Sequence, residues 1–409
     1  MAKLLWTERT DFGPCPRGGS AASWDSNRGR TVLFGGNAGS KGDNGETWEW
    51  DGSYWTQMSD IGPGARTYSA LAYDSANKVS LLFAGSKGGI PTGDTWQWDG
   101  MNWTQLADTG PPPRSGHAMA YDSNRQRTVL FGGVASDVSQ FGDTWEFDGE
   151  SWTQQQDTGP SPRSGHGMGY DSLNGRIVLF GGGGTDGNGL GDTWAWDGQE
   201  WVEIAEFGPS PRVYSSLVSI AGAALILYGG VSALIGGSQV FFDTWQFDGK
   251  LWTQRQDIGP GPLYSAAMAF DVSRTAVVLF GGLTAFPFSD AALSGDTWES
   301  TVPAGGTAGA ALARVTSIVI QSPVLQDTAT QMTLTLSAPV PQPTVVLLTG
   351  PVFLPNGQNL DQVEIPAETT TFSQQVAFAS PAGNMVEGQV TVVAQVSGTP
   401  GVSTVVTVN

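Results

Sequence analysis

Apolar and polar positions alternate in short runs along the first part of this chain, without the wider spacing of an amphipathic helix. Residues Arg114 to Asp122 alternate small and large side chains, and Arg127 to Phe131 is a β-branched and apolar run that stops at Gly132-Gly133. Asp143 to Phe147 makes a third run, Asp148-Gly149 a turn, and Ser151 to Gln154 a fourth run. Period two with turn residues between the runs predicts four antiparallel strands. Aspartate-glycine suits a two-residue type I′ hairpin, in which both central residues take positive φ. A glycine pair at a strand end permits positive φ and close backbone approach.

The same order returns around tryptophans at Trp48, Trp96, Trp145, Trp194, Trp245 and Trp298, spaced 48, 49, 49, 51 and 53 residues apart. Such a period predicts four-stranded blades arranged radially. The last marker, Asp296-Thr297-Trp298-Glu299-Ser300, has no tryptophan-threonine strand behind it, whereas Leu5-Trp6-Thr7 is such a strand lacking the three before it. The N-terminal segment is therefore expected to complete blade six and remove exposed strand edges. The expected fold is all-β: a six-bladed β-propeller over residues 1–300, closed by the N-terminal strand. A Gly-, Ala- and Pro-rich linker is expected at 301–313. Residues 314–409 hold about seven alternating runs, among them Met332 to Leu336, Thr344 to Leu348, Thr371 to Phe378 and Gln389 to Gln395, which predict a β-sandwich.

The strand-ending glycine pair and the spaced aromatic residues resemble the bacterial kelch repeat over residues 1–300. That resemblance implies a propeller and no single activity, because kelch propellers include enzymes, scaffolds and binding modules. The phrases Thr333-Leu334-Thr335-Leu336-Ser337-Ala338-Pro339, Val363-Glu364-Ile365-Pro366-Ala367 and Ser403-Thr404-Val405-Val406-Thr407-Val408 resemble the immunoglobulin-like modules of bacterial surface proteins. This second resemblance implies an extracellular spacer or adhesion role and brings no catalytic residues with it.

Composition narrows the partners. Acidic residues outnumber basic ones by 38 to 19, a formal charge of −19, so nucleic acid is not an expected partner. No apolar run approaches the ~20 residues of a membrane span. An extracellular or cell-surface location is expected, and since the start lacks the apolar stretch of a secretion signal, either a signal was trimmed or export takes another route. The single cysteine, Cys15, allows no intrachain disulfide and no cysteine-rich zinc site.

Most tryptophans recur in every blade and are expected to pack between blades. Arginine is the more informative residue. A Gly-Pro-x-x-Arg type of turn places Arg17, Arg66, Arg114, Arg163 and Arg212 in one slot, with Leu263 in the sixth blade. In a closed ring these side chains would surround one channel mouth, where guanidinium groups could hold a carboxylate or phosphate. The structural alternative is pairing with a carboxylate or loop carbonyl of the neighbouring blade. His117 and His166 stand three residues after Arg114 and Arg163, and with Tyr68, Tyr214 and Tyr264 from the same turns they join the candidate ligand-binding set.

Breaks in the repeat add a second group. The loops Val231 to Phe242 and Leu283 to Gly295 are long and apolar where other blades are polar, so Leu234, Ile235, Phe241, Phe242, Phe286 and Phe288 predict an apolar lip beside the arginine ring, or two loops that pack on each other.

The expected function is that of a non-catalytic extracellular or surface-associated binding or scaffold protein. Its propeller face would recognise a protein or glycan, an anionic carbohydrate among the options, with the sandwich as spacer. Two alternatives are a carbohydrate-active enzyme resembling the sialic-acid mutarotases, and a structural component of a phage tail or secreted particle. No cofactor and no metal are expected. Copper chemistry of the galactose oxidase kind needs two histidines, two tyrosines and a cysteine linked to one of them, and here Cys15 lies in a Pro14-Cys15-Pro16 turn.

Overall fold

A computed structural model describes residues 6–301 apart from 10–11, 60, 107–108, 156–157, 206–207, 221–223, 235–237, 256–258 and 287–288, together with seven strands between 315 and 408. Ile235, Phe288 and residues 302–313 of the expected linker lie outside the described residues.

Six four-stranded antiparallel sheets follow one another along the chain. In the third, Ala118–Asp122, Arg127–Phe131, Thr144–Phe147 and Trp152–Gln154 pair in sequence order. Its second strand is the core of the blade: Val129, Leu130 and Phe131 are fully buried, and each side chain so buried contributes about 1.5–3 kcal/mol. The sixth blade is built from both ends of the propeller. Trp6–Arg9 pairs antiparallel with Thr297–Thr301, Thr7 opposite Glu299, beside Ala276–Phe280 and Ala267–Asp271.

The repeated triplet Asp-Thr-Trp joins blades as well as marking them. In blade three the Trp145 indole N–H donates to Asp143, while Thr144 Oγ1 accepts from Trp201 on the outer strand of blade four. Trp201 also meets Phe131 edge-on, with ring centroids 5.3 Å apart. The same link closes the ring: Trp6 packs on Tyr228 of blade five, ring centroids 5.4 Å apart, and its indole lies 3.4 Å from Thr244 Oγ1.

The glycine pairs act as expected. Gly132 and Gly133 have φ of 67° and 105°, and a Cβ on Gly132 would stand 2.6 Å from the Arg163 carbonyl, which instead accepts the Gly133 N–H at 2.9 Å. The hairpin at Asp148-Gly149 differs from the type I′ expectation. Of the two residues only Gly149 takes positive φ (100°). Phe147 pairs with Trp152 across a four-residue loop, held by Asp148 Oδ1 accepting from the Glu150 and Ser151 N–H groups. The aspartate therefore works through its side chain, not through a left-handed backbone.

The chain divides into two compact units, one of Lys3–Lys250 with Gln254–Ala304 and one containing Gly305–Asn409. In the second, seven strands form two sheets. Val315–Ile320, Thr330–Leu336 and Thr371–Val376 make one, and Gln362–Ile365, Thr344–Thr349, Gly388–Val396 and Val402–Val408, in that order, make the other. Among the described residues no helix is long and apolar enough to cross a membrane.

Candidate functional site

The inner strands of the six blades line a central channel that widens into a cavity at each end. Around the narrow end runs a closed circuit of backbone hydrogen bonds. Gly19 N–H donates to Ser265, Ser265 to Tyr214, Tyr214 to Gly165, Gly165 to Gly116, Gly116 to Tyr68 and Tyr68 back to Gly19, at 2.6 to 2.9 Å. One residue from each blade contributes, always two positions after the arginine slot. All six have positive φ, between 54° and 68°. Glycine fills three of these places without strain, whereas Tyr68, Tyr214 and Ser265 hold a conformation that disfavours a side chain.

The five arginines do not face this channel as free cations. Each is at most 2 % exposed and binds the acidic residue that opens the marker triplet of its own blade: Arg17 to Glu46, Arg66 to Asp94, Arg114 to Asp143, Arg163 to Asp192 and Arg212 to Asp243, at 2.6 to 2.7 Å. A second donor reaches a buried strand-end carbonyl, as from Arg114 to Gly132 at 2.8 Å. Phe141 and Phe241 lie over the guanidinium groups of Arg114 and Arg212, 4.0 and 4.1 Å from the ring centroids. Burial pushes the partner carboxyls up, but the hydrogen bonds and charge of Arg114 and Arg163, with the Trp145 and Trp194 indoles, together outweigh it and hold Asp143 and Asp192 below the ordinary carboxylate range. The expected cationic ring is thus a set of internal ion pairs within each blade, because Arg and Asp, 29 residues apart in blades three and four, meet across one sheet. Leu263 fits this pattern: in blade six Asp296 accepts from the Ser294 hydroxyl instead.

The narrow cavity, about 120 Å³, is lined by Ser20, Tyr68, Ser69, His117, His166, Tyr214, Ser215, Ser265 and neighbouring small residues. Tyr68 and Tyr214 come from blades two and five, opposite each other in the ring, and their rings meet with centroids 5.0 Å apart. Burial raises both hydroxyls above the usual phenol value. Tyr264 does not join them. It stands one residue earlier in its turn, is buried among Val213, Val231 and Leu283, and burial pushes its hydroxyl up to about 12.

His117 and His166 are each 6 % exposed and sit edge-on against Phe83 and Phe131 of the preceding blade, with centroids 5.5 and 5.6 Å apart. Burial, then the charge of Arg114, holds the His117 imidazole well below its ordinary value, and burial, then Arg163, brings His166 down to about 3. Both rings are neutral at pH 7. The carbonyls of Phe83 and Phe131 interact with them, yet among the described residues none of the four ring nitrogens completes a hydrogen bond.

The wide cavity, about 350 Å³, opens at the other end. Trp24, Tyr73, Tyr121, Tyr170 and Phe270 occupy one equivalent slot around it, and Ser219 takes the sixth place. The slot was visible in the sequence as a repeat position, but nothing in one blade's sequence marks it as facing an opening rather than packing between blades.

The apolar loops divide. Phe286 packs edge-on near Tyr264, with centroids 6.1 Å apart, beside the buried cluster of Val213, Val231 and Leu283. Phe242 and Leu234 remain exposed, at 63 % and 36 %. Cys15 lines neither cavity. Its Sγ accepts from Arg17 at 3.1 Å.

The radial sheets, the closed circuit and the repeated ion pairs define a six-bladed β-propeller. Residues 99–282 match the model of the KLHDC2/KLHL20/DRC7 Kelch-repeats domain. Among solved structures, that of YjhT is similar with a TM-score of 0.55 and 14% identity, covering 71% of this chain and 96% of that one. A fungal alcohol oxidase of the AA5 family, described as in complex with copper and with catalytic diversity, is similar with a TM-score of 0.52 and 15% identity over 99% of this chain and 100% of its own. At such identities the likeness is one of fold. No curated protein matches the sequence.

Proposed function

We propose that this chain is a non-catalytic binding or scaffold protein of a bacterial cell surface or exterior, with the propeller as recognising unit and the C-terminal strands as an immunoglobulin-like spacer. The kelch-repeat fold supports a binding role. The observation that carries the reading is the neutrality of both cavities: among the described residues no carboxylate, lysine, arginine or cysteine lines either one. Acid–base catalysis works best with a group that titrates near the operating pH, and the two imidazoles are held neutral far below it. An acidic carbohydrate loses the anchor expected for it, because the arginines are bound to carboxylates. Phe242 and Leu234 give the propeller an exposed apolar rim suited to a protein or glycan partner.

The test is a panel of neutral and acidic glycans presented to the intact chain, with the recovered ligand examined for chemical change. Saturable binding that returns the ligand unaltered supports the reading. Turnover of a bound sugar beyond the buffer rate would replace it with the enzyme reading.

A further inference from the structure

The narrow end of the channel combines three features that blade packing does not require. Two imidazoles, both more than nine-tenths buried, line a cavity and leave their nitrogens without completed hydrogen bonds. The Ser215 hydroxyl beside them is buried and equally unmatched. Two tyrosines held at φ of 54° meet across the axis, although glycine fills the same place in blades one, three and four. Leaving buried polar groups unpaired costs about 1–3 kcal/mol each, and a bulky residue in the left-handed region costs roughly 1–2 kcal/mol. Costs of this kind persist where a function requires them.

The chemistry of the unmatched groups selects the occupant. A neutral imidazole offers one N–H and one lone pair, and a serine hydroxyl both gives and accepts. The carbonyls of Phe83 and Phe131 interact with the N–H of each ring, which leaves the second nitrogen of each as a buried acceptor without a partner among the described residues. A carboxylate or phosphate has no proton to give them. A metal cation would meet no carboxylate among the described lining residues, and the Arg114 and Arg163 charges lie close to the two rings. Hydroxyl groups answer both needs.

Resting on the binding role argued above, we propose that the cavity formed by His117, His166, Ser215, Tyr68 and Tyr214 binds a small uncharged polyol or the hydroxyl-bearing edge of a neutral sugar. The imidazoles accept from its hydroxyls, and the paired tyrosines close over it. The volume of about 120 Å³ admits something about the size of glycerol, a few times the ~30 Å³ share of one water.

The chain has two histidines in all, so imidazole NMR of the intact protein reads this site without interference. Glycerol and erythritol are the probes, with acetate, inorganic phosphate and Zn²⁺ as competing chemistries. The expected result is a saturable shift of both imidazole signals with the polyols alone, weakened about tenfold in the Y68G/Y214G variant, whose glycines suit the φ already present there. That variant keeps the backbone circuit, so a folded protein is expected, and its circular dichroism checks this. Saturable shifts with acetate, phosphate or Zn²⁺ and none with polyols would overturn the assignment. So would polyol shifts that never saturate. A propeller that binds a glycan or protein elsewhere while the imidazole signals stay fixed would refute this site and leave the binding role standing.

Discussion

Trp98 donates its indole N–H to Glu49 of the preceding blade, at 2.9 Å in a buried setting. The same bond joins Trp50 to Glu299 and Trp196 to Glu146, at 2.8 Å each. Where the preceding blade has Gln97 or Ala195 in place of glutamate, the tryptophan is replaced by Phe147 or Phe247. An indole is kept where a buried carboxylate needs its proton and gives way to a plain ring where it does not. Glu49 also accepts from Arg28 at 2.6 Å. Glu49→Ala leaves the buried indole without an acceptor and Arg28 with Asp25 as its remaining ion pair, and a loss of about 1–3 kcal/mol is expected. Urea unfolding of Glu49→Ala against Gln97→Ala, with the smaller effect in the latter, checks the assignment.

Removal of Arg114 is expected to act on stability first. With Asp143 left largely buried and unpaired, Arg114→Leu costs about 3–5 kcal/mol. The R114L/D143S double variant, which leaves neither charge of the pair behind, recovers much of that loss. A thermodynamic cycle showing no coupling between the two positions would mean that the ion pair does not hold the blade.

Acid should weaken the fold before any carboxylate titrates. Both imidazoles are depressed in the folded protein, so the unfolded chain binds protons first as pH falls through the ordinary imidazole value of about 6.5. For His166 this penalty grows until about pH 3, at up to about 1.4 kcal/mol per pH unit. The ion-paired carboxylates, also depressed, add their share below the ordinary carboxylate value of about 4. Denaturation midpoints should therefore decline between pH ~6.5 and ~4.5, and H117S/H166S, with the residue of blades one, two and five, should flatten that limb. An equal slope in the variant would contradict the burial of the rings.

Ring closure rests on a short strand with one large anchor. Trp6 is 6 % exposed and packs against Tyr228 of blade five. Trp6→Ala is expected to cost about 3–5 kcal/mol and to increase amide exchange in Thr297–Thr301, its partner strand. Exchange there equal to wild type would mean that the N-terminal strand does not seal the propeller.

The blades and their closure were legible because they depend on local patterns: strand-length runs, a glycine pair and a tryptophan every forty-nine residues or so. The arginine slot was equally plain, but its partner was not, since Arg114 and Asp143 are far apart in sequence and only folding brings them together. A signal did exist. In the one blade where leucine replaces the arginine, serine stands two residues before the aspartate. Tyr68 and Tyr214 were legible as candidates but their pairing was not, because their meeting depends on blades two and five being opposite. Side-chain capping by Asp148 was misread as a left-handed turn because both devices favour Asp-Gly.

The account turns on a channel end whose described lining is uncharged, and the imidazoles of His117 and His166 report on that directly. A pH titration of their NMR signals in the intact, ligand-free chain is predicted to show both rings still neutral well below the ordinary imidazole value of about 6.5, with His166 protonating near 3. A midpoint near the ordinary value of about 6.5 for either ring would show a solvated, chargeable site and contradict the neutral channel.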